Sequence, residues 1–147
     1  MLKPLFAAAA IAALALPAAA QNITAPDAVV PAGITVQAVM VHGPSLEGNL
    51  EGNSPTREVM VVLPPSYASN PTRRYPVVYY LHGFAISGRD FYDYMQVPTA
   101  VAQNAGEGRE FIVVVPDTLT AMGGSMYSNS VTTGNFRDFI ATDLVSY

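Results

Sequence analysis

A ten-residue stretch in the middle of the chain reads Tyr75-Pro76-Val77-Val78-Tyr79-Tyr80-Leu81-His82-Gly83-Phe84. Its continuous run of β-branched and aromatic residues, with Pro76 at its entry and Gly83 at its exit, is typical of a strand that is buried on both faces. Strands of this kind belong to parallel sheets that are covered by helices. The stretch therefore predicts an α/β fold with a strand over residues 75–81.

A second continuous apolar run, over residues 111–115, has a similar composition and is also predicted to be a buried strand. Between the two runs, residues 90–104 place apolar side chains near helical spacing. Pro98 is expected to interrupt this helix, and Gly106 is expected to end it. A strand, a helix and a strand in this order make a βαβ unit, in which the two strands are parallel.

The part of the chain before this unit is predicted to form two antiparallel strands that lead into the parallel sheet. Apolar side chains alternate with others over residues 34–41, and residues 57–63 carry Val59, Val61 and Leu63 on one face. Residues 43–56 contain a short tandem repeat of Leu-Glu-Gly-Asn, which we interpret as an exposed, turn-rich connection. The predicted architecture is thus a mixed sheet with flanking helices.

A further helix is predicted near the end of the chain. Asn135 is a candidate cap, because its side chain can accept a hydrogen bond from the first turn. Four apolar side chains then fall on one helical face: Phe136, Phe139, Ile140 and Leu144. Other carboxylates near the predicted helices are interpreted as helix-start or solvated charges: Asp90, Asp93, Asp138 and Asp143.

Composition excludes several classes of function. The chain has 7 Lys and Arg against 11 Asp and Glu, a formal net charge of −4, so a basic nucleic-acid surface is not expected. It has no cysteine, which excludes disulfides, a thiolate nucleophile and cysteine-based metal sites. His42 and His82 are its only two histidines. No metal and no organic cofactor are predicted, and the oligomeric state is left open.

The beginning of the chain predicts export. Lys3, an apolar run over residues 5–16, Pro17 and three alanines before Gln21 follow the order of a secretory signal. A transmembrane anchor is the alternative, but a spanning helix needs about 20 apolar residues and Pro17 interrupts this run. We predict a signal peptide over residues 1–20, an extended lead-in over 21–33 and a domain over 34–147. The mature protein is expected in the periplasm or the extracellular space, without stable membrane insertion.

The His-Gly pair after the strand over residues 75–81 is expected at the carboxyl edge of the sheet, where parallel α/β sheets bind ligands. In hydrolases of this architecture, the loop after this strand supplies one backbone N–H of the oxyanion hole. Phe84, just past His82 and Gly83, would donate this N–H, and Gly83 lets the main chain pass close to a substrate. His82 is interpreted as a residue that shapes the loop by hydrogen bonding. His42 is expected to be an exposed residue at a strand end.

Several short motifs occur in an order that is more specific than any one of them. They are residues 57–63 followed by Pro64-Pro65-Ser66-Tyr67, the stretch 75–83, Val115-Pro116-Asp117, the stretch 125–130, Asp138-Phe139-Ile140 and Asp143-Leu144. Together, over residues 34–147, they resemble the "Putative esterase" family of α/β-hydrolases. That family includes feruloyl and other carboxylesterases, S-formylglutathione hydrolases and mycolyltransferases of the antigen 85 type.

The resemblance implies acyl transfer through a Ser-His-Asp/Glu triad to water or to another hydroxyl. The family's nucleophile lies in a GxSxG elbow, which no serine of this chain has: Ser125 has Gly123 two residues before it but Tyr127 two residues after it. In the family, this elbow lies beyond the helix in which the chain ends. We therefore expect the N-terminal half of an α/β-hydrolase domain, truncated before the elbow, with the triad beyond Tyr147 and no activity in this chain alone.

The predicted function is that of an exported serine carboxylesterase. Export argues against the S-formylglutathione hydrolase branch and favours small-molecule or carbohydrate-linked esters, such as feruloyl or acetyl esters. Asp117 and Tyr127 are candidate substrate-binding residues. For Asp117, an anchor for its own loop is favoured over a substrate contact, and residues 125–130 fit either a loop at the substrate mouth or a hydroxyl-rich connection. An acyltransferase of the mycolyltransferase type and a non-catalytic secreted binding module are the other functions left open.

Overall fold

The computed structural model describes residues 27–147. The predicted signal peptide over residues 1–20 and the first part of the lead-in lie outside the described residues, so export and the signal boundary stay predictions. Among the helices of residues 27–147, none combines the length and the apolar character needed to cross a bilayer.

Four strands form a mixed sheet: β1 (Thr35–His42), β2 (Thr56–Leu63), β3 (Val77–Tyr79) and β4 (Ile112–Pro116). Their order is β1-β2-β4-β3, with β2 antiparallel to both β1 and β4, and with β3 parallel to β4. The antiparallel start and the parallel pair of the βαβ unit are therefore confirmed. The predicted ends of β1, β2 and β4 lie within one residue of those in the structure.

The prediction that the strand over residues 75–81 is buried on both faces is wrong. The regular strand β3 is only three residues long, and Val77 and Val78 are 46% and 43% exposed. The reason is its position, because β3 is an edge strand with β4 as its one neighbour in the described sheet. The helices cover the sheet over β2 and β4, where Val62 and Val115 are fully buried.

The helical segment between β3 and β4 consists of two helices, α1 (Gly88–Tyr94) and α2 (Val97–Gly106). Ser87 caps α1, since its Oγ accepts a hydrogen bond from the Asp90 N–H at 3.0 Å. The expected interruption at Pro98 is wrong by two residues: the break comes at Gln96, which has a left-handed φ of 49°. Pro98 instead lies in the first turn of α2, where its missing N–H is tolerated. The end at Gly106 is confirmed.

Two apolar clusters pack on the sheet, and each joins the sheet to a different set of helices. The first cluster joins the sheet to α1 and α2, and it contains Ile34, Met60, Val62, Tyr92, Val97, Val101, Val113 and Val115. The second cluster joins the sheet to the C-terminal helical segment, and it contains Val41, Leu46, Val59, Phe136, Phe139 and Leu144. These clusters bury side chains of β2 and β4, and this packing positions the ends of β4 and of its parallel neighbour β3.

The connection between β1 and β2 is turn-rich as predicted, but it is not wholly exposed. A 3₁₀ turn over Pro44–Leu46 places Leu46 in the second cluster with no exposed surface. The repeat residue Asn53 also ties this connection to a later loop, because its Nδ2 donates to the Thr133 carbonyl oxygen at 3.0 Å. His42, at the end of β1, is exposed as predicted.

The C-terminal segment begins after a short hairpin whose two strands have two residues each, β5 (Asn129–Ser130) and β6 (Gly134–Asn135). It continues as α3 (Phe136–Asp138), a π-helical turn (Phe139–Asp143) and α4 (Leu144–Ser146). The expected shared apolar face is confirmed, but the expected cap is wrong, because Asn135 is a strand residue of β6 and its side chain makes no capping hydrogen bond.

Two of the carboxylates expected to be solvated or at helix starts have structural roles instead. Asp93 is buried, and its Oδ1 accepts a hydrogen bond from the Ala28 N–H at 2.7 Å. Asp143 accepts one from the Ser45 N–H at 3.0 Å. Each carboxylate thus joins elements that are distant in the sequence.

Replacing Gly43 by alanine tests the packing of the C-terminal segment. A Cβ at this position would lie 2.4 Å from Cδ2 of Phe139, and the backbone φ of −106° is open to any residue, so the clash decides the outcome. Because Phe139 is fully buried, we expect Gly43→Ala to lower the free energy of unfolding by about 1–3 kcal/mol in urea denaturation.

Gly106→Ala is the matched control for this prediction. A Cβ there meets no atom within 4 Å, and alanine has the higher helix propensity. Equal losses of stability in the two variants would contradict the described packing.

Candidate active site

The carboxyl ends of β3 and β4 lie side by side at one edge of the sheet, because the strands are adjacent and parallel. The segments that follow them, residues 80–87 and 117–128, contribute to a cavity of about 240 Å³. Its lining residues are His82, Gly83, Phe84, Thr118, Gly124, Ser125, Met126 and Tyr127. The structure thus brings four of the five sequence-predicted site residues to one cavity, and the fifth, Asp117, lies next to Thr118.

A larger groove of about 270 Å³ lies beside β3 and α2. It is lined by aliphatic and aromatic side chains such as Val78, Val101 and Phe111, with almost no polar surface. Catalytic sites need convergent polar groups, and therefore the smaller cavity is the candidate site.

His82 is buried beside the cavity, with 4% of its surface exposed. Its Nδ1 is 2.8 Å from the Gly83 carbonyl oxygen, and its Nε2 is 2.9 Å from the Thr118 backbone nitrogen. A carbonyl can only accept and an N–H can only donate, so these contacts assign the Nδ1–H tautomer. Both ring nitrogens are engaged within the two loops, which is consistent with a residue that shapes the loop.

Asp117 joins three parts of the fold behind His82. Its Oδ2 accepts from Arg57 Nη2 at 2.5 Å, and its Oδ1 accepts from the Gly88 N–H at 2.9 Å. A Cβ at Gly88 would approach the Asp117 Cα to 2.9 Å, so glycine permits this contact. Arg57 also donates to the carbonyl oxygens of Asp117 and Leu119. These contacts favour the loop-anchoring interpretation over a substrate contact, and Asp117 does not line the cavity.

Phe84 offers a free backbone donor at the cavity. Its N–H has no acceptor among the residues that the structure describes. The next residue, Ala85, has a left-handed φ of 59°, and its N–H donates to the Gly123 carbonyl oxygen at 2.7 Å. The Phe84 ring packs so closely over Gly123 that a Cβ there would lie 2.7 Å from Cζ. The backbone around the free donor is therefore held by contacts to the second loop.

Tyr127 also lines the cavity. Its hydroxyl donates to the His82 carbonyl oxygen at 2.7 Å, and its N–H donates to Ser125 Oγ at 3.2 Å. Burial raises the pKa of the Tyr127 phenol above its ordinary value, because the phenolate would lose solvation. Both Met126 and Tyr127 have positive φ, 53° and 50°, which is unusual for large side chains. Since strained backbone concentrates at functional sites, this loop fits such a site.

Sequence reasoning missed Thr118 and Gly124 among the lining residues. Thr118 comes directly after the carboxyl end of the strand containing Val115, so its position at the edge was available as a signal. Gly124 had only a weak signal, since two successive glycines predict a turn but not the approach of the Phe84 ring.

The described residues offer no paired nucleophile and base. Thr118 Oγ1 is 3.0 Å from His82 Nε2, but only 1% of the Thr118 surface is exposed, so its hydroxyl is almost inaccessible to a substrate even though the residue lines the cavity. Ser125 is also buried, and within residues 27–147 no serine hydroxyl contacts a histidine. In the same part of the chain, no three His, Asp or Glu residues are grouped to hold a metal ion. The arrangement can bind and polarise an oxygen atom through the Phe84 N–H.

Comparison with known proteins identifies related folds. A solved ferulic acid esterase is 22% identical with a TM-score of 0.64. The CE1 ferulic acid esterase AmCE1/Fae1A from Anaeromyces mucronatus, solved in complex with ferulic acid, is 25% identical with a TM-score of 0.53. Each match covers 78% of this chain but 42% of the solved chain, so the chain spans less than half the length of these enzymes.

None of the curated proteins matches the chain. The "Putative esterase" family matches residues 53–146, which is more than half of the sequence and includes every residue that lines the cavity. The solved ferulic acid esterase with the TM-score of 0.64 shares its fold with 78% of this chain. The chain therefore belongs to the "Putative esterase" family.

Proposed function

We propose that this chain forms the oxyanion-binding side of the active site in a carboxylic ester hydrolase with the α/β-hydrolase fold. The single observation that carries the proposal is the Phe84 N–H, a donor without an acceptor among the described residues, at a cavity beside the carboxyl ends of β3 and β4. This is where hydrolases of that fold place the first N–H of their oxyanion hole. Membership of the esterase family supports the same chemistry.

The reaction uses this donor when the ester carbonyl becomes tetrahedral. A serine Oγ attacks the carbonyl carbon, a histidine takes its proton, and negative charge develops on the carbonyl oxygen. The Phe84 N–H stabilises that oxygen together with the N–H of the residue after the nucleophile. The alcohol leaves with the proton, and water then releases the acid from the acyl-enzyme. The serine, the acidic residue and the histidine are proposed to follow Tyr147 in the complete gene product, and no cofactor takes part in these steps.

The side chains at the rim of the cavity favour a substrate with an apolar or aromatic acyl group. Phe84, Met122 and Met126 lie at or next to the cavity, and each is at least 64% exposed. Exposed large apolar side chains around a polar donor are typical of small-molecule sites. Ferulic acid is bound by one of the similar solved enzymes. We propose feruloyl or related carboxylic esters, including carbohydrate-linked ones, as the substrate class of this protein.

Export is also part of the proposal, on the strength of the first 20 residues of the sequence. Cleavage of the signal after Ala20 would leave Gln21 as the first residue of the mature protein. A secreted or periplasmic enzyme has access to esters outside the cytoplasm, which agrees with the proposed carbohydrate-linked substrates.

Mass spectrometry of the mature protein tests export. We expect the protein in the exported fraction of the source cell, with an N-terminal peptide that begins at Gln21. An intact Met1 or a mature protein retained in the cytoplasmic fraction would contradict this part of the proposal.

Ester hydrolysis by two forms of the protein tests the catalytic proposal. The complete gene product is expected to hydrolyse p-nitrophenyl acetate and methyl ferulate and to be labelled at one serine by a fluorophosphonate. The 147-residue chain is expected to do neither, since its described part holds no paired nucleophile. Labelling of any serine in the 147-residue chain, or a complete product without hydrolysis, would overturn the proposal.

A further inference from the structure

Two loops meet at the cavity, and we name them by their residues. The oxyanion loop is residues 82–85, and the lateral loop is residues 118–128. Four hydrogen bonds join them. Thr118 contacts His82 Nε2 through its N–H at 2.9 Å and its Oγ1 at 3.0 Å, the Ala85 N–H donates to the Gly123 carbonyl at 2.7 Å, and the Tyr127 hydroxyl donates to the His82 carbonyl at 2.7 Å. None of them uses the Phe84 N–H, but together they lie on both sides of it.

The direction of the Phe84 N–H is determined by the peptide plane that it shares with the Gly83 carbonyl. A trans peptide is planar, so its N–H points opposite to its C=O. The Gly83 carbonyl oxygen lies 2.8 Å from His82 Nδ1, which donates to it. The imidazole of His82 therefore orients the plane that carries the Phe84 N–H.

The peptide planes on either side are also fixed. The His82 carbonyl belongs to the preceding plane, and the Tyr127 hydroxyl holds it. The Ala85 N–H belongs to the following plane, and the Gly123 carbonyl holds it. The Gly123 carbonyl is a backbone group, whereas the Tyr127 hydroxyl can be removed by a side-chain substitution.

The backbone of the lateral loop is strained next to the Tyr127 hydroxyl. Met126 and Tyr127 are both left-handed, a conformation that costs about 1 kcal/mol or more for large residues and persists only where the surroundings enforce it. A tyrosine phenol is protonated at neutral pH, and burial raises the pKa of the Tyr127 phenol further, so the hydroxyl is available as a donor. The enforced backbone conformation agrees with a donor that is held in place.

We infer that Tyr127 is a positioning residue that aims the Phe84 N–H by holding the His82 carbonyl from the lateral loop. The inference rests on the proposed function, and it gives the Tyr127 hydroxyl a role other than substrate binding, for which Tyr127 was a candidate. That hydroxyl already donates its proton within the protein. The ring is free to form a wall of the cavity, but the hydroxyl acts on the reaction through the oxyanion loop.

The test compares Tyr127→Phe with the wild type of the complete gene product. The substitution removes the hydroxyl and keeps the ring, so the packing against His82 is retained. Transition-state stabilisation depends on donor geometry more than substrate binding does. We expect kcat for methyl ferulate to fall about tenfold, while KM stays within about twofold, because removing an oxyanion donor outright costs about 100-fold or more.

Amide hydrogen exchange gives a second readout that does not need activity. Loss of one neutral hydrogen bond is expected to raise exchange of the Ala85 amide about fivefold. Amides of β2 and β4 should keep their wild-type rates, since they lie in the rigid part of the sheet. Tyr94→Phe is the matched control, because Tyr94 is 64% exposed and its hydroxyl has no hydrogen bond within residues 27–147.

The outcomes separate this inference from the proposed function. Faster exchange confined to the oxyanion loop, with a loss in kcat alone, supports the positioning role. Unchanged exchange at Ala85, a uniform rise across the sheet, or an unchanged kcat in an active enzyme overturns it. If the wild-type product hydrolyses no ester, the proposed function fails, and the exchange comparison alone decides whether Tyr127 holds the oxyanion loop.

Discussion

The ion pair between Arg57, which is buried, and Asp117, which is partly buried, is the interaction on which the site depends. Charges removed from water are stable only if hydrogen bonds satisfy them, and both partners meet this condition. Arg57, 9% exposed, also donates to backbone carbonyls, including that of Leu119, and Asp117 also accepts from the Gly88 N–H. The pair thus joins β2, the end of β4 and the start of α1. Removing one partner of such a pair costs about 3–5 kcal/mol.

A series of hydrogen bonds connects this ion pair to the Phe84 N–H. Thr118 follows Asp117 directly, and its N–H donates to His82. His82 in turn orients the peptide plane of the Phe84 N–H through its contact to the Gly83 carbonyl. An ion pair at the edge of the sheet is therefore connected to the Phe84 N–H through two backbone peptides and one imidazole. In the proposed reaction, this chain contributes the geometry of one N–H.

Local sequence patterns predict the strands and the βαβ unit, because hydrophobic periodicity and glycine placement depend on neighbouring residues. The exposure of Val77 and Val78 could not be predicted in this way, since burial of a strand depends on its place in the sheet. The break at Gln96, two residues before Pro98, required a left-handed residue that has no strong sequence signal. Similarly, Tyr127 was found as a candidate, but its bond to the His82 carbonyl depends on a fold that brings distant loops together.

The central claim is that the Phe84 N–H binds the oxyanion. A crystal structure of the complete gene product, inhibited by a phosphonate that mimics the tetrahedral intermediate, tests it most directly. The account predicts a phosphoryl oxygen at about 2.7–3.1 Å from the Phe84 nitrogen, in line with its N–H. A phosphoryl oxygen bound by other donors, with the Phe84 nitrogen beyond hydrogen-bond distance, would contradict the account.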